Sequence, residues 1–236
     1  MIQEIGLSQD EGADAGHLLN EMPITWLDES EWVIEARQDR SRRTMRRILD
    51  AAVRLFVAQG YEATTVARIA HEADIAPGSI YRRFSDKDAL LKAVVDSYYR
   101  TRLNEFDHLV DTRFAALEDR DSILALYTHV IFSAYRRDRG LIRLVERRSL
   151  VDPEIRRTAH DASAHVARRI AWTFSRLTPD ADAEALSHRI HQWHHIQRGI
   201  LVSIILPDGE GDHPALSLDD TAFETDMLRL LGAWVK

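Results

Sequence analysis

Apolar residues recur at helical spacing along most of this chain, and the places where that spacing breaks divide it into segments. Ile48, Ala52, Leu55 and Phe56 form one stripe, which predicts a helix over about 41–59 ended by Gly60 in the manner of a C-cap. Val66, Ile69, Ala70 and Ala73 fall at i, i+3, i+4 and i+7, one buried face of a short helix beginning near Thr64 or Thr65. The pattern then stops at Asp74, where a sharp turn is expected because a short polar side chain tolerates the left-handed region. Pro77 suits the first turn of the next helix, which has room for about two turns and buries little beyond Ile80 and Phe84. A longer helix is expected from Asp86 to about Val110, with Ser85 and Asp88 at capping-box spacing. From Asp111 onward no alternating run is long enough for a sheet, and helices are expected at about 119–138, 141–149, 153–177, 180–206 and 218–235. Their punctuation is Gly140, Asp152-Pro153, Thr178-Pro179, a loop at 207–211, and a second capping-box spacing at Ser217 and Asp220. The fold class is therefore all-α.

A helix of about two turns does not stabilise itself, so Ser79, Tyr81, Arg82 and Arg83 on its open side need another reason to be there. A helix-turn-helix supplies one: its second helix enters the major groove, with residues near its N-terminus at base edges and basic or hydroxyl groups on phosphates. Over Thr44 to about Asp96 the sequence resembles the tetracycline-repressor (TetR) family of bacterial transcription regulators. The resemblance rests on the LFVAQGYEATTV connection, the IA of the second helix, the G-S-I-Y-R-R-F block and the K-D-A-L-L opening of the next helix. Two positions depart from the family pattern: Asp74 stands where Gly is usual in the turn, and Ala76 where a capping Ser or Thr is usual. Loss of the cap is worth about 1 kcal/mol. The resemblance implies a three-helix DNA-binding domain at 37–90, a larger helical effector-binding and dimerisation domain at 91–236, and a cytoplasmic, sequence-specific repressor. A small-molecule effector would release this repressor from a palindromic double-stranded operator, and no cofactor is implied. The DNA contacts expected on this basis are Arg42, Arg43, Thr64, Thr65, Arg68, Pro77, Gly78, Ser79, Tyr81, Arg82, Arg83 and Lys87. Ser79 and Arg82 are expected at base edges, and Lys87 matches the family's phosphate-contacting lysine.

The net charge of −7 changes that picture only until its distribution is read. Residues 1–36 hold nine acids and no Lys or Arg, whereas residues 37–90 carry eleven Lys or Arg against seven Asp or Glu. Basic charge thus lies where a duplex would be met, with Arg42, Arg43, Arg46 and Arg47 on the first turns of their helix. The acidic extension 1–36 is read as a disordered tail, or, more sharply, as a DNA mimic that competes for the Arg37–Arg47 cluster. With no cysteine, thiolate metal sites, cysteine nucleophiles and disulfides are excluded, and no apolar run approaches a membrane span. The acidic start lacks the basic n-region of a secretory signal, which supports the cytoplasmic expectation.

The last two helices are expected to pair with those of a second subunit, since Leu186, Ile190, Trp193, Ile200, Leu201 and Ile204 share one arc and Phe223, Met227, Leu228, Leu230, Leu231, Trp234 and Val235 another. Tyr98, Tyr127, Phe132, Tyr135, Trp172 and Phe174, with Arg143 and Glu146, are the candidates for lining an effector cavity, each being equally at home as plain core. A regulator whose larger domain answers to a protein, or to no ligand, is the first alternative. The remote one is a metal-dependent enzyme built on His188, His191 and His195, whose i, i+4 spacing suits a metal but whose ligand set lacks an identified carboxylate. The DNA-mimic reading predicts that deleting residues 1–36 tightens binding of the chain to duplex DNA at fixed salt; unchanged affinity in a mobility-shift titration rejects it.

Overall fold

The computed structural model describes residues 39–177, 183–206 and 216–235, and every regular element among them is helical. The acidic extension, Thr178-Pro179 and the 207–211 loop lie outside the described residues. In chain order the helices are α1 (Asp39–Gln59), α2 (Val66–Glu72), α3 (Gly78–Tyr81), α4 (Lys87–Thr112), α5 (Arg120–Arg137), α6 (Arg139–Ser149), α7 (Pro153–Ser175), α8 (Ala183–Ile205) and α9 (Thr221–Trp234), with a 3-10 turn at Phe114–Ala116. No helix among the described residues is long and apolar enough to cross a membrane.

Local chemistry accounts for most boundaries. Gly60 takes φ 83° and its N–H reaches the Phe56 carbonyl at 3.0 Å, closing α1 as expected of a C-cap. Asp152 caps α7 by accepting from the N–H groups of Glu154 and Ile155 at 2.9 and 3.2 Å, with Pro153 first in the helix. The side-chain caps observed at the two expected capping boxes come from Asp one to three residues after each Ser. Asp86, one residue later than Ser85, accepts from the Ala89 N–H at 2.7 Å, and Asp220 caps α9 through the Ala222 N–H at 2.8 Å. In each case the shorter-reaching Asp beside the helix outcompetes the more distant Ser, and Asp88 is free to serve elsewhere. Gly140 does not end a helix either. It is the second residue of α6, and a Cβ there would collide with Val57 Cγ1, so its value lies in admitting the Val57 side chain against the α6 backbone.

The described residues pack as two units. The head comprises residues up to Thr101 together with Gly140–Thr158, and the body comprises Arg102–Arg139 with the residues from Ala159 onward. In the head, Ile48, Ala52, Leu55, Phe56, Val66, Ile69, Ala70, Ala73, Ile80 and Phe84, the buried residues expected for the first three helices, are buried, and so are Met45, Leu90 and Leu91. In the body, α5 packs on α9 and α8 on α9. Phe132 meets Phe223 edge to face at 5.4 Å, and a buried carboxylate stitches α5 to α9: Glu224 accepts from His129 Nδ1 at 3.1 Å and from Arg136 at 2.5 Å. Arg136 also donates to the Leu218 carbonyl ahead of α9 at 2.5 Å.

Burial raises the Glu224 pKa, but the hydrogen bonds from His129 and Arg136 outweigh it and leave the carboxyl below its ordinary value of 4.5. A carboxylate depressed in the folded state adds stability that is present above the unfolded pKa and fades as pH falls through the folded one. Glu224→Gln is expected to cost about 1.5–3 kcal/mol at neutral pH and to flatten the loss of stability below pH 4.5, as read from urea unfolding at a series of pH values.

Candidate nucleic-acid interface

The α2–turn–α3 segment is held by polar contacts rather than by its own length. Thr65 caps α2, its hydroxyl accepting from the Arg68 N–H at 3.2 Å, and Ala73 closes it with a bond to the Ile69 carbonyl at 2.8 Å. Asp74 then takes φ 50°, at a conformational cost of about 1–2 kcal/mol. Arg47 of α1 donates to both the Asp74 carbonyl and Oδ2, each at 2.9 Å. The acid that replaces the usual turn glycine thus adds the Oδ2 bond to a clasp whose carbonyl half a glycine could also form. The Ile75 N–H returns to the Ala70 carbonyl at 3.0 Å.

α3 spans four residues, shorter than the two turns expected, and Pro77 at its N-cap makes no side-chain hydrogen bond, so Ala76 leaves the helix without the usual cap. Two arginines compensate in part. Arg83 donates to the Ser79 carbonyl at 2.9 Å and to Ser41 Oγ of α1 at 3.0 Å, and Arg82 reaches Ser79 Oγ at 3.3 Å. Burial, then the neighbouring Arg82 charge, lowers the Arg83 pKa. Beneath them Ile80 and Phe84 are fully buried.

The expected contact residues separate into two groups. Arg43, Thr65, Arg68, Pro77, Gly78, Tyr81 and Arg82 are exposed, Tyr81 at 54%, while Arg42, Ser79, Arg83 and Lys87 are half-buried. Thr64 belongs to neither: it is 0% exposed, and its hydroxyl reaches the Gly60 carbonyl at 2.8 Å and the Leu55 carbonyl at 3.2 Å. That corrects its place in the contact set, because a hydroxyl committed to the end of α1 cannot also meet a phosphate. Lys87 has a double role. Its ammonium donates to the Tyr61 carbonyl at 2.9 Å and the Thr64 carbonyl at 3.0 Å, leaving one of its three N–H bonds for an outside acceptor.

Sequence reasoning missed what surrounds Tyr61. Its ring lies between two cations, Lys87 Nζ at 4.1 Å and the Arg148 guanidinium of α6 at 4.2 Å, and its hydroxyl donates to Asp88. Arg148 also reaches Asp88 at 3.4 Å and Glu62 at 3.2 Å. Burial and the hydrogen bond to Asp88 push the Tyr61 pKa up, so the hydroxyl stays protonated. No short-range motif marks Arg148, because its partners lie 60 and 86 residues away.

The candidate effector residues fall into both units: Tyr98, Arg143 and Glu146 in the head, Tyr127, Phe132, Tyr135, Trp172 and Phe174 in the body. Tyr127, Phe132 and Phe174 are fully buried, and the Tyr127 hydroxyl lies 2.7 Å from His194 Nδ1 on α8. Trp172 is 50% exposed, with Arg169 and Arg176 each 5.5 Å from its ring, so it presents its faces to guanidinium groups at the surface. Of the histidine stripe, His191 and His195 lie 5.9 Å apart, and His195 stacks on His160 of α7 at 5.8 Å. His188 is exposed. No group of three or more metal-ligating side chains forms among the described residues.

The family model for bacterial regulatory proteins of the tetR family matches residues 48–94. A regulator of the HTH type from Bacillus subtilis (strain 168), YvkB, is 41% identical over 61 residues, 26% of this chain and 32% of that protein. The HTH-type transcriptional regulator HbdR of Aromatoleum sp. (strain CIB) is 47% identical over 55 residues, 22% and 24% of the two chains. The chain thus spans about a third or less of the length of these curated relatives. The solved structure of a Mesorhizobium loti protein assigned to the TetR family superposes with a TM-score of 0.66 at 20% identity, covering 84% of this chain and 98% of that one. FadR of Bacillus subtilis, in complex with stearoyl-CoA, gives 0.58 at 19%, covering 80% and 98%. The likeness to these two structures is one of fold. For Thr64 the geometry predicts a scaffold effect: Thr64→Val is expected to lower unfolding free energy by about 1–2 kcal/mol, measured by urea denaturation, whereas Thr65→Ala is expected to cost about 1 kcal/mol through the lost cap.

Proposed function

We propose, from the premise that this chain belongs to the TetR family through residues 48–94, that it is a sequence-specific transcriptional regulator. In this reading it is a repressor that leaves a palindromic operator when a small molecule binds the body. The observation that carries the DNA-binding part is the exposed Pro77–Arg82 face of α3, presented by a helix too short to persist alone, tied to α1 by Arg83 and preceded by a turn that Arg47 holds. Rigid presentation of a few side chains to the major groove is what base readout requires. Ser79 and Arg82 read base edges, while Arg42, Arg43, Thr65, Arg68, Tyr81 and the remaining N–H of Lys87 hold the phosphates. Selection of bound duplexes from a random pool tests the reading: a shared palindromic motif is the expected result, and bound sequences without a common motif overturn it.

A homodimer through α8 and α9 would set two such heads about 34–36 Å or somewhat more apart. Leu186, Ile190, Trp193, Leu201, Ile204, Met227, Leu231 and Val235 of the expected arcs are buried within the body itself, so support comes from the apolar surface left over: Leu230 at 56% and Trp234 at 41% exposure from the expected arc, and Ile196 at 42% beside it. The effector part draws on the buried aromatic residues of the body and on a neighbour of similar fold that holds stearoyl-CoA. α4 contributes residues to both units. A ligand that favours one setting of that helix shifts the population, and moving it from 1:99 to 99:1 takes a preference of about 5.5 kcal/mol.

Two substitutions separate readout from positioning. Arg82→Ala is expected to cost about 1–3 kcal/mol on the selected duplex and to relax specificity at one position. Lys87→Ala is expected to weaken binding to all sequences, to lower the salt slope by about one unit, and to destabilise the head through the two carbonyls it abandons. Mobility-shift titrations at several salt concentrations check both, and an unchanged slope for Lys87→Ala removes it from the phosphate contacts.

A further inference from the structure

The head places two exposed carboxylates beside the lysine proposed to hold a phosphate. Glu62 follows Tyr61 in the connection between α1 and α2, Asp88 follows Lys87 in α4, and their side chains are 85% and 58% exposed. The Lys87 ammonium bonds to the Tyr61 carbonyl at 2.9 Å and lies 4.1 Å from the centre of the Tyr61 ring, whose hydroxyl donates to Asp88. A carboxylate left unmatched here would compete for the one Lys87 N–H that remains for an outside acceptor, and would repel the phosphate as well. Such an arrangement works against DNA binding unless another cation meets the acids.

Arg148 of α6 meets both. It donates to Glu62 Oε1 at 3.2 Å and to Asp88 Oδ1 at 3.4 Å, while its guanidinium lies 4.2 Å from the centre of the same Tyr61 ring. A planar fork can serve two acids on different segments and a ring face together, whereas an ammonium in its place would act as a point charge on one of them. The Arg148 side chain is 19% exposed, so its charge is less screened than that of a solvated arginine. The charges of Lys87 and Arg148 balance those of Glu62 and Asp88, and removing Arg148 leaves a net negative charge where a phosphate must approach. Ion pairs to acids this exposed add little to stability, so holding the fold does not account for the arrangement. We infer that Arg148 is a positioning residue for DNA binding: it neutralises Glu62 and Asp88 and thereby keeps the Lys87 ammonium available to a backbone phosphate. The inference rests on the DNA-binding reading above and extends that interface to α6, which carries none of the expected contacts.

The test is a mobility-shift titration of the full chain at several salt concentrations, against the selected duplex and a duplex of random sequence. Arg148→Met is expected to weaken binding to both duplexes about five- to tenfold at low salt and to lower the salt slope by about one unit. Adding Glu62→Gln and Asp88→Asn to that variant is expected to recover most of the loss, and Asp88→Asn keeps an acceptor for the Tyr61 hydroxyl. With Arg148 present, the same two substitutions are expected to change binding by less than about twofold, because the acids are already matched. Arg148→Lys, able to meet one acid but not both, is expected to show a smaller loss with the same recovery, and it decides alone if Arg148→Met does not fold. A folded Arg148→Met that binds like the wild type, a loss that persists once the acids are removed, or an equal gain from removing them in both backgrounds overturns the inference while leaving the DNA-binding reading standing. The expected loss and recovery in a chain with no preference for the selected duplex supports the role of Arg148 and rejects the sequence-specific reading. A wild type that binds neither duplex overturns both.

Discussion

Carbonyl groups at the end of a helix must find donors, and the head of this protein is organised around how those at the end of α1 and in the connection to α2 are served. Thr64 bonds to the Leu55 and Gly60 carbonyls, and Lys87 bonds to those of Tyr61 and Thr64. Lys87 is also the first residue of α4. One ammonium thus ties the start of the long helix to the connection from which α2 and α3 depart. The placement of the two short helices follows from the burial of Val66, Ile69, Ala70, Ile80 and Phe84, with that bond and the Arg47 and Arg83 clasps fixing the register, because their own hydrogen bonds number too few to hold them.

The helices were legible because their signals are local. Stripe spacing, Gly60, Pro77 and Asp152 each act within a turn or two, and the all-helical architecture and the buried stripes followed from them. Caps were misread by one to three residues where Ser and Asp compete within the same turn, as at Ser85 with Asp86 and Ser217 with Asp220. Gly140 was misread because glycine serves both to end helices and to admit a close neighbour, and only the position of Val57 distinguishes the two.

The candidate site was legible in its residue types and less so in their duties. Exposed Tyr81 and Arg82 sit as the two-helix pattern implied, whereas Thr64 and Arg83 turned out to spend their polar atoms inward. Periodicity cannot tell an outward threonine from one that bonds a carbonyl nine residues back. Asp74 carries a similar lesson: a departure from the family pattern looked like a tolerated defect, yet its carboxylate pairs with Arg47 from another helix. In the body, His194 and Gln197 share the arc of Ile190 and Leu201, so an apolar stripe concealed the polar groups that interrupt it.

The tryptophans have a bearing that goes beyond packing. The chain has five, and among the described residues they are Trp172, Trp193 and Trp234, all in the body. The other two, Trp26 and Trp32, belong to the acidic extension. Among the described residues the head therefore carries tyrosine as its largest chromophore. Trp172 faces two guanidinium groups at the surface, and Trp193 is buried 6.5 Å from Trp234. With Trp26 and Trp32 replaced by phenylalanine, selective excitation of indole would report on the helices where a ligand and a second subunit are proposed to act, and not on the part proposed to meet DNA.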